Sequence, residues 1–433
     1  MKINKIEKVT FFVLLLFAVV FGASAQSDIA SPYSRFGLGT VYQNKSNTAL
    51  QGMGGVSNAM SGMSLINPAN PASYAFIDSL TFLADAGFFI KTTSYNTSTY
   101  MERGSNASLD YANVAFGVTK WWKTGLGITP ASNREYSSLV DYSLAVADGT
   151  IPYNILYEGT GGLNKASWSN GFRIFDNLSV GVAAHFLFGT INDITTVYFP
   201  DNVYLLNGRR SIKLEINDFT FDLGLLYKAN IVRDYSLSLG LSYSFNSDLN
   251  AVKSAYTRNM FKGYGTNVES PIDTIYYVYD KSSKVSYPQG ISAGLVLKKG
   301  ERWLVGVDFN WDNWKGFQIN GVNDSLQNSW NIAIGGCYTP KSNVTSGYMN
   351  RVTYRAGFHY DRTCFNFYNT SIDKYAFTFG LGLPIPRSLT SLNIAFELGQ
   401  LGTIDNNLVK ESFFNISIGI SIYDRWFVKR KYK

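Results

Sequence analysis

Apolar and polar residues alternate with a period of two along most of the chain. Tyr235, Leu237, Leu239, Leu241, Tyr243 and Phe245 are separated only by serines and Gly240. Phe414, Ile416, Ile418, Ile420 and Ile422 alternate with Asn415, Ser417, Gly419 and Ser421. Trp303–Trp311 and Phe377–Leu383 repeat the pattern. Period two puts the two sets on opposite faces of a strand. The runs approach ten residues, and their second face is Ser, Gly and Thr with few charges. Strands of a soluble sandwich average about 5–6 residues and carry charged outer faces. Runs of about ten residues, apolar outward and polar inward, are what a membrane-spanning barrel requires. The expected fold is therefore all-β: a closed antiparallel transmembrane β-barrel.

Alternation marks about fourteen strands between residues 79 and 422. The connections between them sort by parity. Even-numbered ones are short, and odd-numbered ones (92–106, 131–162, 190–213, 247–287, 313–326, 361–373 and 400–409) are longer. Outer-membrane barrels have short periplasmic turns on one rim and long extracellular loops on the other. An even strand number then places both termini in the periplasm. The layout is a signal peptide at 1–25, a hatch or plug at 26–78, the barrel at 79–422 and a basic periplasmic tail at 423–433.

The signal peptide rests on Lys2, Lys5 and Lys8, the apolar run from Val9 to Phe21, and the small residues Ala23-Ser24-Ala25. No later run is long and apolar enough for a spanning helix. Aromatics make up 15% of the chain and charged residues 16%, against about 25% charged in ordinary globular domains. The formal charge of +7 falls to +5 once Lys2, Lys5, Lys8 and Glu7 leave with the signal peptide. The last nine residues hold Arg425, Lys429, Arg430, Lys431 and Lys433, a match for anionic lipid headgroups. No basic stripe points to nucleic acid. Two cysteines, Cys337 and Cys364, exclude a disulfide framework. Two histidines, His185 and His359, and no G-x-S-x-G element argue against an enzyme, and neither a metal nor another cofactor is expected.

Alternation turns Asp85, Asp222, Asp308, Arg355 and Glu397 toward the lumen, because an arginine facing mid-bilayer lipid would cost ~2–4 kcal/mol. These charges either pair with one another and with the plug, or line a wet path. Inward glycines, among them Gly125, Gly181, Gly240, Gly306 and Gly419, leave room for a plug or ease the curvature of the wall. The 247–287 connection carries Tyr256, Phe261 and Tyr264, a candidate outer surface for capturing an apolar ligand.

Residues 26–78 are too specific in their Gly and Pro spacing for an idle linker. Gly52-Met53-Gly54-Gly55, followed by Asn67-Pro68-Ala69 and Pro71, resembles the N-terminal hatch of FadL-type outer-membrane transport proteins. The chain is similar to an uncharacterised divergent branch of that superfamily. The resemblance implies a fourteen-stranded barrel for hydrophobic substrates, plugged from its N-terminus. The expected function is passive uptake of small hydrophobic or amphiphilic molecules through a channel gated by the plug. A binding or scaffolding barrel without transport, and a general porin, are the alternatives. The expected partners are outer-membrane lipids and the ligand, with a monomer favoured.

Overall fold

In a computed structural model the chain closes into a barrel of fourteen antiparallel strands. The structure describes residues 31–425 except 43–45, 63, 148, 200–204, 233, 263–268, 342–346 and 387. The signal peptide, the end of the basic tail and Tyr264 lie outside the described residues. The wall strands are β1 (Thr81–Asn96), β2 (Met101–Gly117), β3 (Trp122–Asn133), β4 (Gly149–Phe175), β5 (Leu178–Tyr198), β6 (Asn207–Val232) and β7 (Tyr235–Ser244). Then come β8 (Gly290–Lys299), β9 (Trp303–Asp312), β10 (Ser329–Tyr338), β11 (Thr353–Phe367), β12 (Thr370–Pro384), β13 (Ser391–Leu401) and β14 (Lys410–Arg425). Each pairs with its neighbours in order. β1 pairs with β14 from Thr81↔Arg425 to Asn96↔Lys410, which closes the ring. Closure is what lipid demands, since it offers no partner for an open edge.

The alternation works as its chemistry dictates. On β7, Leu239 and Leu241 are exposed to the outside, while the alternate positions Ser238 and Gly240 are buried. On β14, Ile418 faces outward and Ser417 is buried toward the lumen. On β6, Phe219, Phe221, Leu223, Leu225 and Tyr227 are exposed on one face, opposite buried Thr220 and Asp222.

The structure corrects the sequence reading in several places. The wall runs from Thr81 to Arg425 rather than from 79 to 422, so the first three residues of the expected tail are strand. The 92–106 and 361–373 connections are not loops. β1 and β2 continue to a tight turn at 97–100, and β11 and β12 to a turn at Tyr368 and Asn369, both at positive φ. The 247–287 connection is a hairpin of two strands, Ser247–Lys262 and Glu269–Tyr287. Its first strand pairs with β6. Tyr256 and Phe261 therefore sit on a strand. A further strand, Tyr136–Val146, pairs with the outer part of β4. Above the membrane lipid no longer imposes an apolar outer face: on the outer part of β6, Lys213 is exposed while Leu214 and Ile216 are buried inward, so the apolar-outward alternation ends while the backbone pairing continues. That is why these extensions read as loops.

The long rim consequently rises unevenly. Tyr136–Val146, β4, β5, β6 and the 247–287 hairpin form a tall sheet on one side, whereas β7 to β10 are ten-residue strands.

The described N-terminal residues lie inside the barrel. Ser31 donates its backbone N–H to the Glu135 carbonyl at 3.1 Å, and its hydroxyl to Glu411 at 2.5 Å. Both partners belong to the long-rim half, so the described start of the chain is at the opposite end of the lumen from Arg425. Residues 26–30 and 426–433, which carry the two ends of the mature chain expected on the short-turn rim, lie outside the described residues. From Ser31 the segment descends through the lumen and enters β1 at the short-turn rim.

Candidate functional site

The lower part of the segment, residues 46–80, fills the lumen at the level of the wall's inward glycines. Asn47 caps a short helix, Thr48–Gln51, by accepting from the Leu50 N–H. Gly52 follows, and a Cβ there would lie 2.9 Å from the Cα of Gly380 on β12. Met53 crosses Gly335 and Gly357, Val56 covers Gly306, and Asn58 covers Gly240 and Gly294. Asn70 and Pro71 press on Gly224 and Gly181, and Tyr74 on Gly171 and Gly125. Ser79 meets Gly117, and Thr48 lies against Gly87 and Gly419. Thirteen of the fourteen wall strands thus offer a glycine to the segment. The exception is β13, which carries buried Ala395. Gly54 adopts a φ of +72°, with its N–H on the Thr378 hydroxyl at 2.8 Å, a backbone conformation open to glycine without cost.

Asn67 ties the segment to itself. Its Nδ2 donates to the carbonyls of Ser57 (2.7 Å) and Met60 (2.9 Å), and its Oδ1 accepts from the Ala69 N–H. The wall contact comes three residues later, where Asn70 Nδ2 donates to the Leu225 carbonyl at 3.2 Å. Asn70 also ties the segment to itself, its Nδ2 donating to the Asn58 carbonyl at 2.8 Å and its Oδ1 accepting the Ala72 N–H at 3.0 Å.

All five charged residues read as inward face the lumen. Asp85 accepts from Asn47 Nδ2 (2.8 Å), Tyr111 and Ser421. Asp308 accepts from the backbone N–H groups of Ser57 (2.6 Å) and Asn58 (2.8 Å). Asp222 meets His185 Nε2 at 2.9 Å, while His185 Nδ1 meets Ser167 Oγ at 2.8 Å. Glu397 pairs with Lys374 at 2.9 Å. Arg355 lies over Gly382, and its Nη1 has no hydrogen-bond partner among the described residues. Sequence reasoning missed Lys91, Asp110, Asp361 and Lys374: Asp361 lies 3.5 Å from buried His359 and within 4.0 Å of Lys374, and Lys91 and Asp110 line the same cavity. Lys91 and Lys374 both stand over the Phe413 ring, at 4.7 and 5.1 Å.

That cluster forms one wall of a cavity of about 190 Å3. Gln51 and Thr378 floor it, and Tyr33, Val41 and Tyr42 roof it. Phe89, Trp314, Phe365 and Phe413 supply rings around the sides. The roof is the head of the N-terminal segment, residues 31–42. Tyr33 stacks on Phe367 at 5.8 Å, and its hydroxyl both donates to the Val409 carbonyl (2.6 Å) and accepts the Val409 N–H (3.0 Å). Burial pushes this hydroxyl up to about 12, which keeps its donated proton in place.

Next to the roof the wall parts. β2 and β3 pair only from Ala112↔Ile128 to Gly117↔Lys123. Beyond Ala112, β2 continues outward to Met101 with no described partner on that edge. Both strands carry a bulge at the parting: Asp110 is skipped in the β1–β2 register and Ala131 in the β3–β4 register. Pro130 adds a residue with no N–H for a neighbouring strand. The β3 edge left free by β2 is taken by the head: Thr40 and Val41 pair with Asn133 and Ser132, and the Tyr42 N–H donates to the Ala131 carbonyl. Arg134 fastens the arrangement. Its guanidinium donates to the carbonyls of Gly37 (2.8 Å) and Arg35 (2.5 Å) and to the carboxylate of Asp193.

Tyr256 and Phe261 are far from this cavity, on the tall hairpin; Arg258 lies 4.4 Å over the Tyr256 ring.

The architecture matches solved FadL-type barrels. A FadL homologue from Pseudomonas aeruginosa superposes with a TM-score of 0.59 at 14% identity, covering 90% of this chain and 99% of that one. A channel described as the CymD monoaromatic hydrocarbon channel gives 0.57 at 14%, with 90% and 99% covered. The toluene transporter TodX of Pseudomonas putida gives 0.56 at 15%, with 90% and 100% covered. Two of these neighbours are described as a channel and a transporter, and at this identity the likeness establishes the barrel fold. A comparison by sequence finds no match among curated proteins. A family model described as BamG matches residues 5–433, and the chain belongs to the BamG family.

Proposed function

We propose that the protein is an outer-membrane channel for small hydrophobic molecules, held closed by its N-terminal segment. The observation that carries this reading is the ring-lined cavity against the arc of wall formed by β11 to β14, β1 and β2, between the head and the body of that segment. An apolar cavity of about 150 Å3 accepts benzene, so a space of about 190 Å3 is of the size of a single aromatic ring with a short substituent. The solved neighbours described as toluene and monoaromatic hydrocarbon channels support the same class of ligand. No energy-coupling step enters the reading: entry and exit are passive, and the short-turn rim faces the periplasm.

The test is conductance. The wild-type protein in a planar bilayer is expected to stay closed, and deletion of 40–75 to give an open pore while the gel shift on heating still reports a folded barrel. A folded deletion variant that conducts no better than wild type would overturn gating by this segment. Saturable retention of radiolabelled toluene by the wild-type protein tests the ligand class separately.

A second reading, a binding or scaffolding barrel without transport, is favoured by one feature. The plug rests on glycines from nearly the whole ring, which suits a fixed insert. A general porin fits worst, because the lumen is filled.

A further inference from the structure

Two partners compete for one strand edge. Residues Ala131–Glu135 present a backbone edge toward the parting of the wall. In the structure the N-terminal head occupies it: Val41 lies opposite Ser132 and Thr40 opposite Asn133, and the Ser31 N–H donates to the Glu135 carbonyl. Across the parting, β2 runs from Met101 to Tyr111 with its edge unpaired among the described residues. The gap is narrow. Asn106 on β2 reaches across it to the Glu135 carboxylate at 3.4 Å.

The β2–β3 register below the parting, Ala112↔Ile128 and Asn113↔Gly127, continues outward by simple count to Ser108 opposite Ser132. The bulges at Asp110 and Ala131 fall one on each strand, so the extended pairing would keep Ser108 and Ser132 on the same lumenal face. Ser132 therefore has two available partners, Val41 of the head and Ser108 of the wall, and one edge with which to meet them.

We propose that the head and β2 exchange on this edge, so that the barrel has two closed-bonding states. With the head docked, as here, the cavity is roofed and the wall is parted beside it. With the head withdrawn, β2 zips onto β3, the wall is sealed, and the cavity opens toward the long-rim mouth. Neither state leaves the 131–135 edge bare, which is the physical reason for two states rather than a continuum. The cavity is then reached from the side or from above, not from both at once. Arg134 biases the exchange toward the docked state, since its guanidinium holds two head carbonyls and Asp193 together. The exchange concerns the chain's own pairing; only its consequence for access rests on the channel reading above.

Paired cysteines test the exchange without any ligand. In a background with Cys337→Ala and Cys364→Ala, the pair Val41→Cys with Ser132→Cys reports the docked head, and the pair Ser108→Cys with Ser132→Cys reports the zipped wall. Directly opposed residues of antiparallel strands lie within the Cα range a disulfide spans. In the full-length protein, mild oxidation is expected to link the first pair and to leave the second mostly unlinked. Deleting 26–42 is expected to raise the yield of the second link at least about tenfold, a shift of about 1.4 kcal/mol. If that deletion prevents folding, Arg134→Ala in the full-length chain is expected to raise the same link. Two results overturn the proposal: no 108–132 link from a folded barrel lacking the head or Arg134, or an equal 108–132 link in the intact protein. A failure to bind toluene leaves this result untouched, and a failure to link leaves the ligand test untouched.

Discussion

The carboxylate of Asp308, on wall strand β9, accepts the backbone N–H of Ser57 at 2.6 Å. The same oxygen accepts the Asn58 N–H at 2.8 Å, so one wall side chain satisfies two buried amides of the N-terminal segment. A hydrogen bond to a charged group contributes about 1.5–3 kcal/mol, and leaving a buried donor unmade costs ~1–3 kcal/mol. Asp308→Ala is expected to loosen the segment by about 2–4 kcal/mol while the ring of strands stays closed. Limited proteolysis of the folded protein checks it: cleavage within 46–80 should appear in the variant and not in the wild type. Equal resistance would remove Asp308 from the account.

Glycine at the wall is a space requirement. A Cβ at Gly335 would lie 2.0 Å from the Met53 carbonyl oxygen, and one at Gly181 2.2 Å from the backbone of Pro71 and Ala72. Gly335→Val is expected to displace the segment locally, at a cost above the ~1–3 kcal/mol typical of overpacking, because the obstacle is backbone. Gly208, with open space around its missing Cβ, is the control, and Gly208→Ala should be silent. A cysteine at Ser57 offers the readout. It should react with a thiol reagent in the Gly335→Val background and stay protected beside Gly208→Ala.

Cys337 and Cys364 are both free. Cys337 is near the short-turn end of β10, and Cys364 near the long-rim end of β11, separated by most of a membrane band ~25 Å tall. No disulfide can span that distance. Mass spectrometry after alkylation of the denatured, unreduced protein should find two modified thiols. A linked peptide pair would contradict the strand placement.

Ser167, His185 and Asp222 stand in hydrogen-bonded sequence across β4, β5 and β6, at 2.8 and 2.9 Å. The order resembles that of a serine hydrolase. The carboxylate, however, is on Nε2 and the hydroxyl on Nδ1, and Ser167 lines neither of the cavities beside the plug. A fluorophosphonate probe is expected to leave Ser167 unlabelled. Stoichiometric labelling lost in His185→Ala would reverse this assignment.

The membrane-embedded wall was legible because lipid imposes one rule on every outward residue. Leu239, Leu241, Phe219 and Ile418 are exposed because that face must be apolar, and period two follows at once. The same rule exposed the inward charges, since Arg355 and Asp308 have nowhere else to go. Above the membrane that rule lapses. Lys213 and Glu215 on β6, and Lys284 on the tall hairpin, turn a polar face outward while Leu214, Ile216 and Val285 are buried inward, so no apolar-outward run marks these stretches as strand and they read as loops. The cavity was hidden for another reason. Lys91, Asp110, Asp361 and Lys374 come from four strands, and only the closed register brings them to one cavity. The hatch motif pointed to the residues that fill the lumen, Gly52 to Pro71. It gave no sign that Thr40 and Val41 pair with β3, since two residues are too few to show a period.

The uneven height of the rim gives the molecule a bearing. β6 has 26 residues and β7 only 10, a difference of roughly 50 Å along the strand at ~3.3 Å per residue and roughly 40 Å in height at a tilt of ~40°. A cylinder of equal strands would look alike from every azimuth in the plane of the bilayer. This one has a screen along one arc, bounded on one side by Tyr136–Val146, the strand that continues past the parted seam. A bulky neighbour can therefore settle closely only along the low arc, and the seam, standing at the screen's margin, turns with the molecule to a fixed angle from whatever it settles against.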